Sequence, residues 1–113
     1  MTKQHSELAK KACVPCQGGT PPLNFDHIQI LLTKLGGGWD VIGAHHLQKE
    51  YKFKNFKETM LFVNAVAAIA QREGHHPDMH VSYDKVRLQI WTHKINGLTE
   101  SDFILAAKCD QTV

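Results

Sequence analysis

Two adjacent histidines, His75 and His76, follow Gly74 and precede Pro77; a third, His93, ends an apolar run, and Asp102 stands further along the chain. Imidazole suits proton transfer because its unperturbed pKa of about 6.5 leaves both protonation states populated near neutrality. Sequence-distant histidines at the ends of elements are how a fold brings such groups into one pocket. Spacing alone leaves three readings open for His75, His76 and His93: metal ligands, a general acid/base set, or histidines satisfied by backbone carbonyls. Adjacent residues tend to aim their side chains apart, and no His-x-x-x-His or carboxylate spacing accompanies them, which weighs against zinc. Asp102 is equally double. As the fourth residue of Thr99-Glu100-Ser101-Asp102 it fits a capping-box carboxylate, worth about 1 kcal/mol, and it could also orient His93. His5, His27, His45 and His46 read as solvent-exposed; the His45-His46 pair lacks the flanking glycine and proline.

The elements that must position these groups follow from periodicity. Ile28, Leu31, Leu32 and Leu35 form one helical stripe, with Asn24 as N-cap and Gly36-Gly37-Gly38 as the stop. Trp39 to Ile42 and then Leu47, Tyr51 and Phe53 read as strands about a Gly43-Ala44 turn, with Lys49 breaking the alternation. Asn55-Phe56-Lys57-Glu58 opens a helix that runs to Gly74, and only Asn64 is polar between Met60 and Ala70. One sheet covers one face of a helix, so this central helix is expected to be covered also by another element or a second subunit. Met79 to Tyr83 and Val86 to Thr92 form a hairpin about Asp84-Lys85. In the second strand Val86, Leu88 and Ile90 point one way, and Arg87, Gln89, Trp91 and His93 the other. After an Asn96-Gly97 turn, a last helix carries Phe103, Ala106 and Ala107. The order α-β-β-α-β-β-α predicts an α+β fold, a four-stranded antiparallel sheet with three helices packed on one face.

The 113 residues make one domain, with residues 1–20 expected as a flexible N-terminal arm and 21–113 as the folded unit. A formal net charge of +2 and no long Lys/Arg run argue against a nucleic-acid partner. No apolar run approaches a membrane span, and the N-terminus lacks a signal-peptide core, so the expected location is cytoplasmic. Cys13-Val14-Pro15-Cys16 could be half a zinc site or a redox dithiol. Zinc needs a second pair, which Cys109 alone does not supply, and the redox motif needs a strand before it and a helix opening at it. Incidental or structural cysteines are the simpler reading.

Taken together, His75-His76-Pro77, then Tyr83, His93 and Asp102 at their fixed gaps resemble the signature of the pterin-4a-carbinolamine dehydratases. Lys54-Asn55-Phe56, Phe62-Val63-Asn64, Thr92-His93 and Gly97-Leu98-Thr99 are similar to that family's text, and the likeness covers roughly residues 21 to 108. The resemblance implies a cofactor-free hydro-lyase that removes water from 4a-hydroxytetrahydropterin, giving quinonoid dihydropterin and recycling the cofactor of aromatic amino acid hydroxylases. It implies His75, His76 and His93 as the catalytic set, with His75 and His93 moving protons and His76 holding the pterin. Gly74, Tyr83, Asp102 and Gln71 would complete the substrate site, with backbone between Met79 and Tyr83 at the pterin edge. Gln71 departs from the family pattern, which has a charged residue, often glutamate, at that position; glutamine keeps hydrogen bonding and loses the charge. Glu73 is nearby but out of register by two. The family also implies a homodimer or homotetramer through the apolar central helix. Some animal members act as dimerisation cofactors of a transcription factor, which makes a non-catalytic interaction protein the alternative.

Overall fold

The computed structural model describes residues 3–14 and 21–113. Its elements are α1 (Lys3–Lys10), α2 (Phe25–Leu35), β1 (Asp40–Ile42), β2 (His46–Lys52), α3 (Phe56–Glu73), β3 (Asp78–Val81), β4 (Lys85–Ile90) and α4 (Glu100–Asp110). The four strands form one antiparallel sheet, as the sequence pattern predicts, in the order β1-β2-β4-β3. Among the described residues no helix is long and apolar enough to cross a membrane.

Strand alternation fixes which face is covered. Leu47 and Tyr51 of β2 pair with Ile90 and Val86 of β4, and these residues join Leu88 in the core. Gln48 and Glu50 face the other side, opposite Gln89 and Arg87. Lys49 shares the core face with Leu47 and Tyr51, and the break in the pattern has a partner. Its ammonium lies 2.8 Å from Asp110 Oδ1 and over the Trp39 and Tyr51 rings. Trp39 Nε1 and the Tyr51 hydroxyl also donate to Asp110. Gly38 makes room for the lysine, since a Cβ there would come within 2.9 Å of Lys49 Cε.

The helix caps behave as their side chains dictate. Asn24 Oδ1 accepts from His27 N–H and Asn55 Oδ1 from Glu58 N–H, both at 2.9 Å. The hairpin turn between β3 and β4 falls one residue earlier than the sequence suggests. Ser82 N–H donates to the Lys85 carbonyl, so Tyr83 and Asp84 are its central pair.

One expectation is met and one is corrected. Besides the sheet, α3 packs on a second element, α4, and α4 is itself enclosed: Ser101 to Ala107 are all buried, because α1, α2, α3 and the sheet surround it. Its small residues, Ser101, Ala106 and Ala107, permit that close approach. On α3 the exposed stripe includes Leu61, Asn64, Ala68 and Gln71, so less of its apolar surface is left over than its composition implies. The correction concerns residues 3–10 of the arm; residues 1–2 and 15–20 lie outside the described residues. Residues 3–10 form α1, which packs on α4 and α2 with Leu8 and Ala9 buried. An eight-residue helix has too little intrinsic stability to be read from sequence and exists by docking.

Candidate active site

The end of α3 delivers the histidine pair. Gly74 adopts φ 66°, ψ 25°, the left-handed conformation that suits a residue without Cβ. The chain then reverses so that His75 N–H donates to the Ala70 carbonyl at 3.2 Å. Pro77 follows and cannot continue a helix. His75 is turned inward, with its side chain 16% exposed, and its Nε2 lies 2.6 Å from Asp102 Oδ1. His76 remains exposed on the opposite side of the turn.

Asp102 has no solvent exposure. Its Oδ2 accepts the Thr99 N–H at 2.8 Å, which is the capping interaction, and the Thr92 hydroxyl at 2.9 Å. Thr92 has one hydroxyl proton and gives it to Asp102, so the Thr99 hydroxyl, 3.0 Å away, donates to Thr92. That leaves Oδ1 for His75. A carboxylate only accepts, so the proton in that contact is carried by His75 Nε2. Nδ1 is then the ring nitrogen free to exchange a proton. The capping reading of Asp102 is met, and the histidine beside its carboxylate is His75, not His93. Thr92 carries no chemistry by residue type, and its position in this network had no signal in the sequence beyond its place beside His93.

The other candidates separate into two groups. His93 opens a single 3₁₀ turn, His93–Ile95, after β4, and its ring stacks on Trp91 at 4.2 Å between centroids. His76 Nε2 lies 3.3 Å from Gln71 Oε1, so the glutamine supports His76 from the preceding turn of α3 without itself lining the cavity. Tyr83 does not join them within this chain. It is 65% exposed at the tip of the β3–β4 hairpin, stacked on Phe56, and its carbonyl accepts from Thr59. The six-residue strand β4 separates that tip from His93 by roughly 20 Å; of the Met79–Tyr83 backbone only the Met79 end, paired with Leu88, lies toward the cavity end of the sheet.

An open cavity of about 320 Å³ gathers the first group. Gly74, His75 and His76 line it from the end of α3, and Trp91, Thr92, His93 and Lys94 from the end of β4. Glu73, Cys13 and Val14 complete it. Glu73 Oε1 accepts the Cys13 N–H at 2.9 Å, and this hydrogen bond is the main reason its carboxyl is held below the usual carboxylate range. Burial, reinforced by the Glu73 charge, pushes the Cys13 thiol up to about 12. Such a thiol stays neutral, which is the reverse of what a redox dithiol or a zinc ligand needs. Cys16 lies outside the described residues. Among the described residues no three His, Cys, Asp or Glu side chains converge on a common metal position, and the three histidine rings each engage a different partner.

The fold is thus α+β, with a histidine hydrogen-bonded to a buried carboxylate in the wall of a cavity. Residues 21–112 match the family model described as Pterin 4 alpha carbinolamine dehydratase. A relative in Alkaliphilus metalliredigens is 51% identical over 106 residues, 94% of this chain and 96% of its own. One in Rickettsia canadensis is 50% identical over 106 residues, 94% and 97% of the two chains. Both bear the provisional name pterin-4-alpha-carbinolamine dehydratase. The crystal structure of a transcriptional coactivator/pterin dehydratase from Brucella melitensis superposes with a TM-score of 0.75 and 30% identity, over 80% of this chain and 96% of that one. A pterin dehydratase-like RuBisCO assembly factor of the alpha-carboxysome shares the fold, with a TM-score of 0.58 at 23% identity. The chain belongs to the pterin 4 alpha carbinolamine dehydratase family.

The hydrogen-bond accounting around Asp102 makes a direct prediction. Nitrogen-15 NMR of histidine-labelled protein should show neutral His75 as the Nε2–H tautomer. In Asp102→Asn the new amide can keep its oxygen on the Thr99 and Thr92 donors and turn its NH₂ toward His75, so the tautomer should reverse to Nδ1–H. An Nδ1–H tautomer in the native protein would contradict the assignment.

Proposed function

We propose that this protein is a 4a-hydroxytetrahydropterin dehydratase that recycles the pterin cofactor of aromatic amino acid hydroxylases by histidine acid/base catalysis. The observation that carries the reading is the His75–Asp102 pair in the wall of a cavity that His93 also lines, in a chain of this family. The reaction needs a proton delivered to the 4a oxygen, cleavage of the C4a–O bond with loss of water, and removal of a proton from a ring nitrogen. The two proton movements cancel, so the net change is loss of water alone. His75, oriented by Asp102, and His93, steadied by stacking on Trp91, are the proton-transfer groups; His76, braced by Gln71, holds the pterin. Asp102 is buried behind His75 and acts as a positioning residue.

We also propose a homo-oligomer. Phe56, Leu61, Tyr83 and Val113 are large apolar side chains left exposed, and Phe56 and Tyr83 stack on one another beside the start of α3. If this surface is the subunit contact, Leu61→Glu should shift the native assembly to monomer in light scattering with the fold retained. An unchanged mass would place the contact elsewhere.

The alternative is a non-catalytic dimerisation or coactivator-type protein of the same fold; fold alone does not carry an activity. The deciding experiment follows dehydration of freshly generated 4a-hydroxytetrahydropterin by its ultraviolet change. The native protein should accelerate it over the uncatalysed decay, and His75→Ala/His93→Ala should lose on the order of 100-fold or more of that rate while remaining folded. A native protein without effect would favour the interaction role.

A further inference from the structure

The matched family span begins at residue 21, yet two residues before it, Cys13 and Val14, line the cavity. They are held there by their backbone. Cys13 N–H donates to Glu73 Oε1 at 2.9 Å and Val14 N–H to Ser101 Oγ at 2.9 Å, while Ser101 Oγ donates back to the Val14 carbonyl at 3.2 Å. The Cys13 thiol adds a contact of 3.6 Å to the Ser101 carbonyl. Upstream, Lys108 Nζ donates to the Ala9 carbonyl at 2.7 Å and Lys11 pairs with Glu100 at 3.2 Å.

The anchors have a telling position in the sequence. Glu73 is two residues before His75, and Ser101 is the residue before Asp102. The segment is therefore referenced to both members of the histidine–carboxylate pair. Because the clamps grip main-chain atoms, the position of the segment is fixed independently of the side chains it presents. A cavity of about 320 Å³ is at the small end of the roughly 300–1,000 Å³ of ligand pockets, so displacing one wall changes a large share of the available room.

We propose that Cys13 and Val14 are a fixed wall that limits the room for the substituent on the reduced pterin ring, and that Glu73 and Ser101 hold the wall in place. This rests on the dehydratase reading. It also gives Glu73 a role, since its carboxylate accepts from the backbone of the segment. Neither Glu73 nor Ser101 takes part in the proton transfers; their effect is on which substrate fits.

The test compares two substrates, the 6-methyl and the 6-(dihydroxypropyl) 4a-hydroxytetrahydropterins. Val14→Phe, at the exposed rim, should narrow the cavity and raise KM for the longer substituent about tenfold relative to the methyl compound. Glu73→Ala should shift the discrimination the other way, through KM rather than kcat, while Glu73→Gln, whose amide oxygen can still accept from Cys13 N–H, should restore native behaviour. Hydrogen exchange of the Cys13 amide, which Glu73 accepts, should quicken in Glu73→Ala, and bound dihydrobiopterin should slow it in the native protein. Unchanged discrimination in folded Val14→Phe, or no shielding of Cys13 by dihydrobiopterin, would overturn the proposal. A native protein that does not accelerate dehydration but whose Cys13 is shielded would overturn the dehydratase reading and keep the wall.

Discussion

A carboxylate removed completely from water destabilises a fold by several kcal/mol unless its lone pairs are met by donors, and Asp102 is such a group. The donors come from three elements: the Thr99 N–H at the start of α4, the Thr92 hydroxyl after β4, and, far more distant in sequence, His75 Nε2 after α3. Satisfying Asp102 thus requires the end of α3, the end of β4 and the start of α4 to meet. The same requirement builds the cavity, because its lining comes from the first two of these with the N-terminal segment laid across them. Structure and chemistry share one constraint here. The carboxylate that caps a helix is also the one that decides which nitrogen of His75 carries its proton.

The rest of the packing serves that convergence. The sheet places Val86, Leu88 and Ile90 of β4 against the helices, so the strand that ends at Trp91 and His93 is held from one face along its whole length. Enclosure of α4 fixes Asp102 from behind. Gly74 sets the direction in which the chain leaves α3, and with it which of two adjacent histidines turns inward. Gln71 meets His76 through its amide oxygen at 3.3 Å.

Much of this was legible in the sequence because it was written in local rules. The period-two pattern of β4, the Asn24 and Asn55 caps, the Gly74 stop and the Thr99-to-Asp102 cap all depend on near neighbours. What escaped depended on tertiary proximity. Asp102 could not be assigned to His75 in preference to His93, because spacing says nothing about which element end it faces. Tyr83 looked like a site residue from its place in the signature, yet the length of β4 carries it away from the cavity in this chain. Lys49 read as an imperfection until Asp110 and Trp39 were seen around it. The first residues looked like an arm because polar composition hides a short helix that is stable only when docked.

The account turns on Asp102 as a positioning residue for His75, so the most direct measurement is the kinetics of dehydration by Asp102→Asn. With the melt and circular dichroism showing a folded protein, kcat should fall about 100-fold while KM for the pterin changes little, because the lost function is proton placement rather than binding. A folded Asp102→Asn protein with native kcat would contradict the claim, leaving Asp102 as a helix cap and nothing more.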